Sequence, residues 1–190
     1  MRLLAFLLMS PLLLPSADLR AVESLDLSDL RLGVGCITGS ANATSGTQRA
    51  DFGIGDQLRL DAVLGVDLGW FGALGGVGGW RERRAGAELE RSVLGGRIFA
   101  GPYLPCGPVD IQLVPWVGSG RAHLEQGAES ADGRVRAWGL DAGLTAVSHG
   151  LVIAFDVGWQ EDASDHQIGT TDWAYRARGG RAGAALGWRF

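Results

Sequence analysis

Gly180-Arg181-Ala182-Gly183-Ala184-Ala185-Leu186-Gly187-Trp188-Arg189-Phe190 closes the sequence, and its reading decides the fold. Counting back from the end, Phe190, Trp188, Leu186, Ala184 and Ala182 are apolar. The residues between them, Arg189, Gly187, Ala185, Gly183 and Arg181, are small or charged. Alternate side chains of a strand point to opposite faces, so this segment makes a strand with one apolar and one small-or-charged face. A soluble domain ordinarily ends in a polar, frayed tail. A last residue that is aromatic and in phase with a strand calls for an apolar surrounding.

The same period recurs upstream, most clearly over residues 58–70. Leu58, Leu60, Ala62, Leu64, Val66, Leu68 and Trp70 share one face, opposite Arg59, Asp61, Val63, Gly65, Asp67 and Gly69. On a helix these apolar positions would circle the axis, so the period selects a strand. Its length exceeds the five or six residues usual in soluble sheets and suits the ~9–11 residues of a tilted membrane strand. Alternation predicts further strands at 30–36, 74–80, 94–103, 109–121, 138–146 and 151–159, the phase around Pro115-Trp116 being left open. Polar stretches at 39–56, 81–90, 123–133 and 160–176 read as four long loops. Phe71-Gly72-Ala73, the Pro102/Pro105/Cys106/Gly107/Pro108 cluster and Ser148-His149-Gly150 read as short turns. The prolines are expected to stay outside any central ladder.

Composition agrees with one β-rich domain. Gly accounts for 31 of 190 residues, about twice the usual ~7 %. The formal net charge is −4, which does not favour a nucleic-acid partner. Every basic residue is Arg. At the N-terminus, Met1-Arg2 followed by an apolar run over 3–14 and the small residues of Pro15-Ser16-Ala17 and Leu19-Arg20-Ala21 read as an export signal. That run is too short for a membrane-spanning helix. Cleavage is expected after Ala17 or Ala21, with 22–29 a short leader and 30–190 the folded domain.

The alternation of long and short connections, an even strand number and a C-terminal strand ending in Phe together resemble the small eight-stranded outer-membrane β-barrel proteins of the OmpA-transmembrane-domain and OmpX kind. The resemblance implies an all-β, transmembrane, up-and-down antiparallel β-barrel in the cell outer membrane, with both termini in the periplasm. It implies outer-membrane lipids and lipopolysaccharide as surroundings, and recognition by the barrel-assembly machinery through Leu186, Trp188 and Phe190. Aromatic girdles are expected from Trp70, Phe71, Trp80, Tyr103, Trp138, Trp159 and Trp188, with Trp173 a further candidate. Trp116 fits neither girdle. On this topology Cys36 and Cys106 are expected as two unpaired thiols.

Arg59, Asp61, Asp67, Arg97, Asp141, Asp156, Arg181 and Arg189 all fall on the face opposite the apolar one. Isolated buried charges are expensive, so these are expected to pair across the lumen and fix the register. Eight strands leave an interior only wide enough for side chains. Arg81-Glu82-Arg83-Arg84 reads as a solvated loop, or as a clamp for lipopolysaccharide phosphates. The chemistry of hydrolysis has thin support. Ser164 and His166, two apart, are the best candidates for a nucleophile and base; Ser148-His149 are adjacent and diverge, and His123 has no nearby Ser. No His or Cys pair stands at metal-ligand spacing, so neither metal nor cofactor is expected. The function expected is non-catalytic: envelope integrity or surface interaction through outer loops. A small gated channel and a lipid A-modifying enzyme are the alternatives.

Overall fold

In the computed structural model, which describes residues 27–190, ten antiparallel strands form one sheet that closes on itself. The strands are β1 (Leu27–Ile37), β2 (Ser40–Ser45), β3 (Gln48–Asp51), β4 (Gly55–Asp67) and β5 (Gly72–Ala85), then β6 (Glu90–Cys106), β7 (Val109–Gln126), β8 (Glu129–Ser148), β9 (Leu151–Ile168) and β10 (Thr171–Arg189). β1 and β4 to β10 make an eight-membered ring in chain order, and β1 closes it against β10 from Asp29↔Arg189 to Ile37↔Arg181. The expected export signal lies outside the described residues. β1 begins at Leu27, so residues 27–29 of the expected leader are strand.

The four stretches read as polar loops are largely strand. Residues 39–56 hold β2 and β3, a hairpin that continues the wall above β1 and β4. β2 pairs with β10 from Arg178↔Ser40 to Ala174↔Thr44, and Phe52 bridges to Gly86 beside β5. Residues 81–90, 123–133 and 160–176 extend the remaining hairpins to tight tips, two of them at Gly127 and Gly169, which have positive φ as does Gly46 at the tip of β2–β3. The reason for the difference is chemical. Over residues 81–84 and 160–166 polar residues stand on both faces of the strand, so the apolar/polar period that reveals a strand fades while the ladder continues.

The proline cluster is corrected in the same way. Pro102 pairs opposite Ala73 and Pro105 opposite Asp110 within β6, and the turn itself is Gly107-Pro108. The β6–β7 ladder skips from Phe99↔Trp116 to Tyr103↔Gln112 without changing register. Pro102 and Pro115, which have no N–H to donate, lie in that gap. Pairing on both sides sets the phase of β7: Trp116 points inward and Val117 outward.

The barrel is inside-out relative to a soluble one. Leu32, Val34, Leu60, Val77, Leu94, Ile98, Phe155 and Leu186 are exposed on the outer face, Leu94 at 70 %. Arg59, Asp61, Arg97, Asp141 and Arg181 are buried inside. Interior glycines make room for large aromatics: a Cβ on Gly95 or Gly118 would lie 2.5 or 2.7 Å from the Trp80 ring, and one on Gly139 2.7 Å from Trp116. The small residues of the lumen face are thus the other half of an aromatic core. Cys36 and Cys106 are free thiols, both exposed.

Candidate functional site: the lumen and its outer mouth

Alternate residues of each strand stack polar and apolar layers across the lumen. At the short-turn end, Asp29 accepts from Arg31 (2.6 Å) and Arg189 (2.7 Å). Gln112 Nε2 donates to Thr145 Oγ1 at 2.8 Å beside them. In the middle, charges alternate in a chain across five strands: Asp61, Arg97, Asp141, Arg181, Asp156, Arg59. Arg97 reaches Asp61 at 2.7 Å and Asp141 at 3.4 Å. Arg181 reaches Asp141 at 3.0 Å and Asp156 at 2.8 Å, and Arg59 closes the chain on Asp156. Three acids meet three arginines, so each buried charge faces an opposite one.

Seven of the eight residues expected in the lumen network, all but Asp67, therefore line the interior, with Arg189 at its rim. Asp67 does not. It is exposed at the turn after β4, where its carboxylate accepts the Gly69 N–H at 2.7 Å. Two positions expected in the girdles also differ. Trp80 and Tyr103 are buried in the lumen, because β5 turns its even and β6 its odd residues inward. Trp173 is inside as well. Trp80 packs against Trp116, the tryptophan that fitted no girdle, at 6.1 Å between centroids. Trp70, Trp138, Trp159 and Trp188 do face outward; Trp138 and Trp159 meet edge-on at 4.9 Å, and Trp70 stacks on Phe71. Leu186, Trp188 and Phe190 share the outward face of β10's end.

A third polar layer, above Trp138 and Trp159, escaped the sequence reading. Arg84 donates to Glu82 at 2.8 Å, and Arg91 to Asp162 at 2.8 Å, with Arg91 also 3.7 Å above the Tyr175 ring. Burial pushes the Asp162 carboxyl up to about 6, against the pull of Arg91. Burial raises the Tyr175 phenol and holds the His166 imidazole below its usual range. The Arg81–Arg84 run is split by the strand: Arg81 and Arg83 face outward, Glu82 and Arg84 inward. Alternation within that run was the missed signal.

Ser164 and His166 do meet. His166 Nε2 lies 2.9 Å from Ser164 Oγ, while its Nδ1 faces the Ala131 carbonyl at 3.2 Å. Among the described residues no carboxylate hydrogen-bonds the ring, and Arg91 donates to the same hydroxyl at 3.3 Å. Ser164 and His166 are 2 % and 4 % exposed. Beside them, at the same end of the barrel, Ala41, Ala43, Phe52, Leu89, Leu124 and Trp173 form a buried apolar cluster. Ser148 Oγ lies 3.1 Å from His149 Nδ1 on an exposed turn, and His123 pairs with Asp132 at 2.7 Å.

An apolar exterior around a charged interior, with every strand of the ring paired on both sides, satisfies the backbone without water. The architecture is that of a small outer-membrane β-barrel. No protein-family model matches the chain, and no curated protein matches it in sequence. Among solved structures it is similar to Neisserial surface protein A, at 13 % identity and a TM-score of 0.47 over 85 % of this chain and 97 % of that one. It is also similar to Ail, the attachment invasion locus protein of Yersinia pestis, at 15 % identity and 0.42 over 86 % and 99 %. The translocator domain of the autotransporter NalP from Neisseria meningitidis follows at 14 % identity and 0.41 over 88 % and 62 %.

Proposed function

We propose that this barrel is a non-catalytic, non-conducting outer-membrane protein whose β-structured hairpins form a rigid platform at the cell surface. The observation that carries the reading is the filling of the lumen. Three ion-paired layers alternate with Trp80, Trp116, Phe99 and Tyr103, and a second apolar cluster is buried at the hairpin end. A space of about 60 Å³ lies between the central and lower polar layers, lined by Arg31, Arg97, Gln112 and Asp141 among others. A volume of that order suits one or two waters and no solute path. The Ser164–His166 pair is buried and has no orienting acid among the described residues, which favours a structural role for it. Recognition then rests on the outer surface, which a rigid scaffold can present without closing-in costs. The outward Leu186, Trp188 and Phe190 support the assembly signal expected of the last strand.

Planar-bilayer recording on the purified, refolded protein tests the reading against a gated channel. Membranes carrying the barrel are expected to show no stable conductance steps. Reproducible unitary openings would replace the platform with a channel.

A further inference from the structure

The upper polar layer sets two buried arginines face to face. Arg84 and Arg91 stand directly opposite each other in the β5–β6 ladder, at 2 % and 1 % exposure. Like charges opposed across a ladder repel, and more strongly away from water. Glu82 is the acid between them. It accepts from Arg84 Nε at 2.8 Å but lies 3.8 Å from Arg91 Nη1, too far for a hydrogen bond. Asp162 takes the other side of Arg91 through Nη2 at 2.8 Å, and Ser164 Oγ accepts from the same nitrogen at 3.3 Å.

These contacts leave an imbalance. Arg84 Nη1, Arg91 Nε, Arg91 Nη1 and the Tyr175 hydroxyl are buried and have no hydrogen-bond acceptor among the described residues. In the same layer the acceptors left without a donor are Asp162 Oδ2 and Gln160 Oε1. A guanidinium nitrogen donates and never accepts, so donors are in excess. Water donates as often as it accepts and cannot remove that excess. A group that only accepts can. The Arg91 guanidinium lies 3.7 Å above the Tyr175 ring, which holds the donors of β6 and β10 in one place beside Arg84 of β5.

Charge points the same way. Around Asp162, β5 brings Glu82 and Arg84, β6 brings Arg91, β10 brings Tyr175 and β9 itself carries His166. Its cross-strand neighbours are Ala137 and Ala177. Burial pushes the Asp162 carboxyl up to about 6. The His166 ring, held below its usual range by burial, adds no charge at neutral pH, and the Tyr175 phenol, pushed up by burial, stays a donor. Once Asp162 takes up a proton, two arginines face one carboxylate, and the layer is short of one negative charge.

We infer that the upper layer encloses one small monovalent anion of the halide class, which accepts hydrogen bonds from Arg84 Nη1, Arg91 Nε and Nη1 and the Tyr175 hydroxyl. A monatomic ion takes donors from any direction and supplies a single charge. An oxyanion would bring several oxygens in fixed geometry and displace packed side chains. Uptake of the anion is coupled to protonation of Asp162, so affinity rises as pH falls. The site lies inside the barrel and is independent of what the outer surface recognises.

The test uses the full barrel refolded in neutral detergent, with its heat-dependent gel shift as the check on folding. Urea unfolding is followed as chloride replaces gluconate at constant ionic strength, at pH 5 and at pH 8. An anion bound by the folded state alone raises the midpoint in a saturable way, and the rise should be larger at pH 5. Tyr175→Phe, which keeps the ring beneath Arg91, should need about tenfold more chloride for half the effect. Asp162→Asn should show at pH 8 the chloride response that the parent shows at pH 5. Crystals grown in bromide should give an anomalous peak between Arg84 and Arg91. A midpoint indifferent to chloride at both pH values, or density there without anomalous signal, would mean ordered water only and overturn the site. An unchanged chloride response in Tyr175→Phe would put the anion elsewhere and overturn it too. A response stronger at pH 8 than at pH 5 would overturn the coupling to Asp162.

Discussion

Arg97 shows how the interior is held. Its guanidinium spans Asp61 and Asp141 and lies 5.2 Å from the Phe99 ring centroid. Arg97→Met leaves Asp61 buried without a partner and is expected to destabilise the barrel by about 3–5 kcal/mol. Asp61→Asn in the same molecule should restore part of that loss, read from urea unfolding in detergent. The upper layer gives a pH prediction. The Asp162 carboxyl, raised to about 6 from its ordinary 3.8, contributes stability that is present in full below 3.8 and lost as pH rises through 6. His166, held low by burial, works in reverse: its contribution is present above 6.5 and lost as pH falls through its lowered value. Asp162→Asn should therefore remove the loss on the alkaline side, and His166→Gln the loss on the acid side, of the unfolding midpoint followed between pH 4 and 8. The central charges were legible in the sequence because each interrupts an apolar alternation. Glu82, Arg84, Arg91 and Asp162 were not, since their outward neighbours Arg81, Arg83 and Glu161 are charged as well.

Strands whose outer face meets lipid announced themselves: β4 and β9 were read in phase from Leu58 and Leu151 upward. Their extensions past the tryptophans did not, because water and lumen reward the same polar residues. Trp80 was misplaced for a different reason. β5 is so rich in Gly that only Val77 marks its outer face, and one apolar residue cannot set a phase. The glycines that obscured the strand are what admit the ring. Gly118→Ala would place a Cβ 2.7 Å from Trp80 and 2.9 Å from the Gly96 carbonyl oxygen, where backbone cannot retreat. A loss of about 1–3 kcal/mol is expected from such overpacking, seen as a lower temperature for conversion of the compact to the extended gel band. Gly46→Ala, which meets nothing within 4 Å, affects only a surface tip; any cost there comes from its φ of +56°.

At the scale of the molecule, one inversion accounts for the sequence: apolar residues outside, paired charges and aromatics inside, and an eight-membered ring whose strands are each paired on both sides. That inversion is why a chain of ordinary hydrophobicity carries no helix long and apolar enough to cross a membrane among the described residues, yet spans one with strands. It also explains the all-antiparallel ladder from β4 through β10 and the closure of β1 on β10. The claim is tested most directly by cell fractionation followed by gel electrophoresis in SDS, with unheated and boiled samples side by side. The account predicts recovery in the outer-membrane fraction, with a compact, fast-migrating band that shifts to the extended position only on boiling. A soluble protein with one heat-independent band would mean that the exposed Leu, Val and Phe wall never meets lipid, and would contradict it.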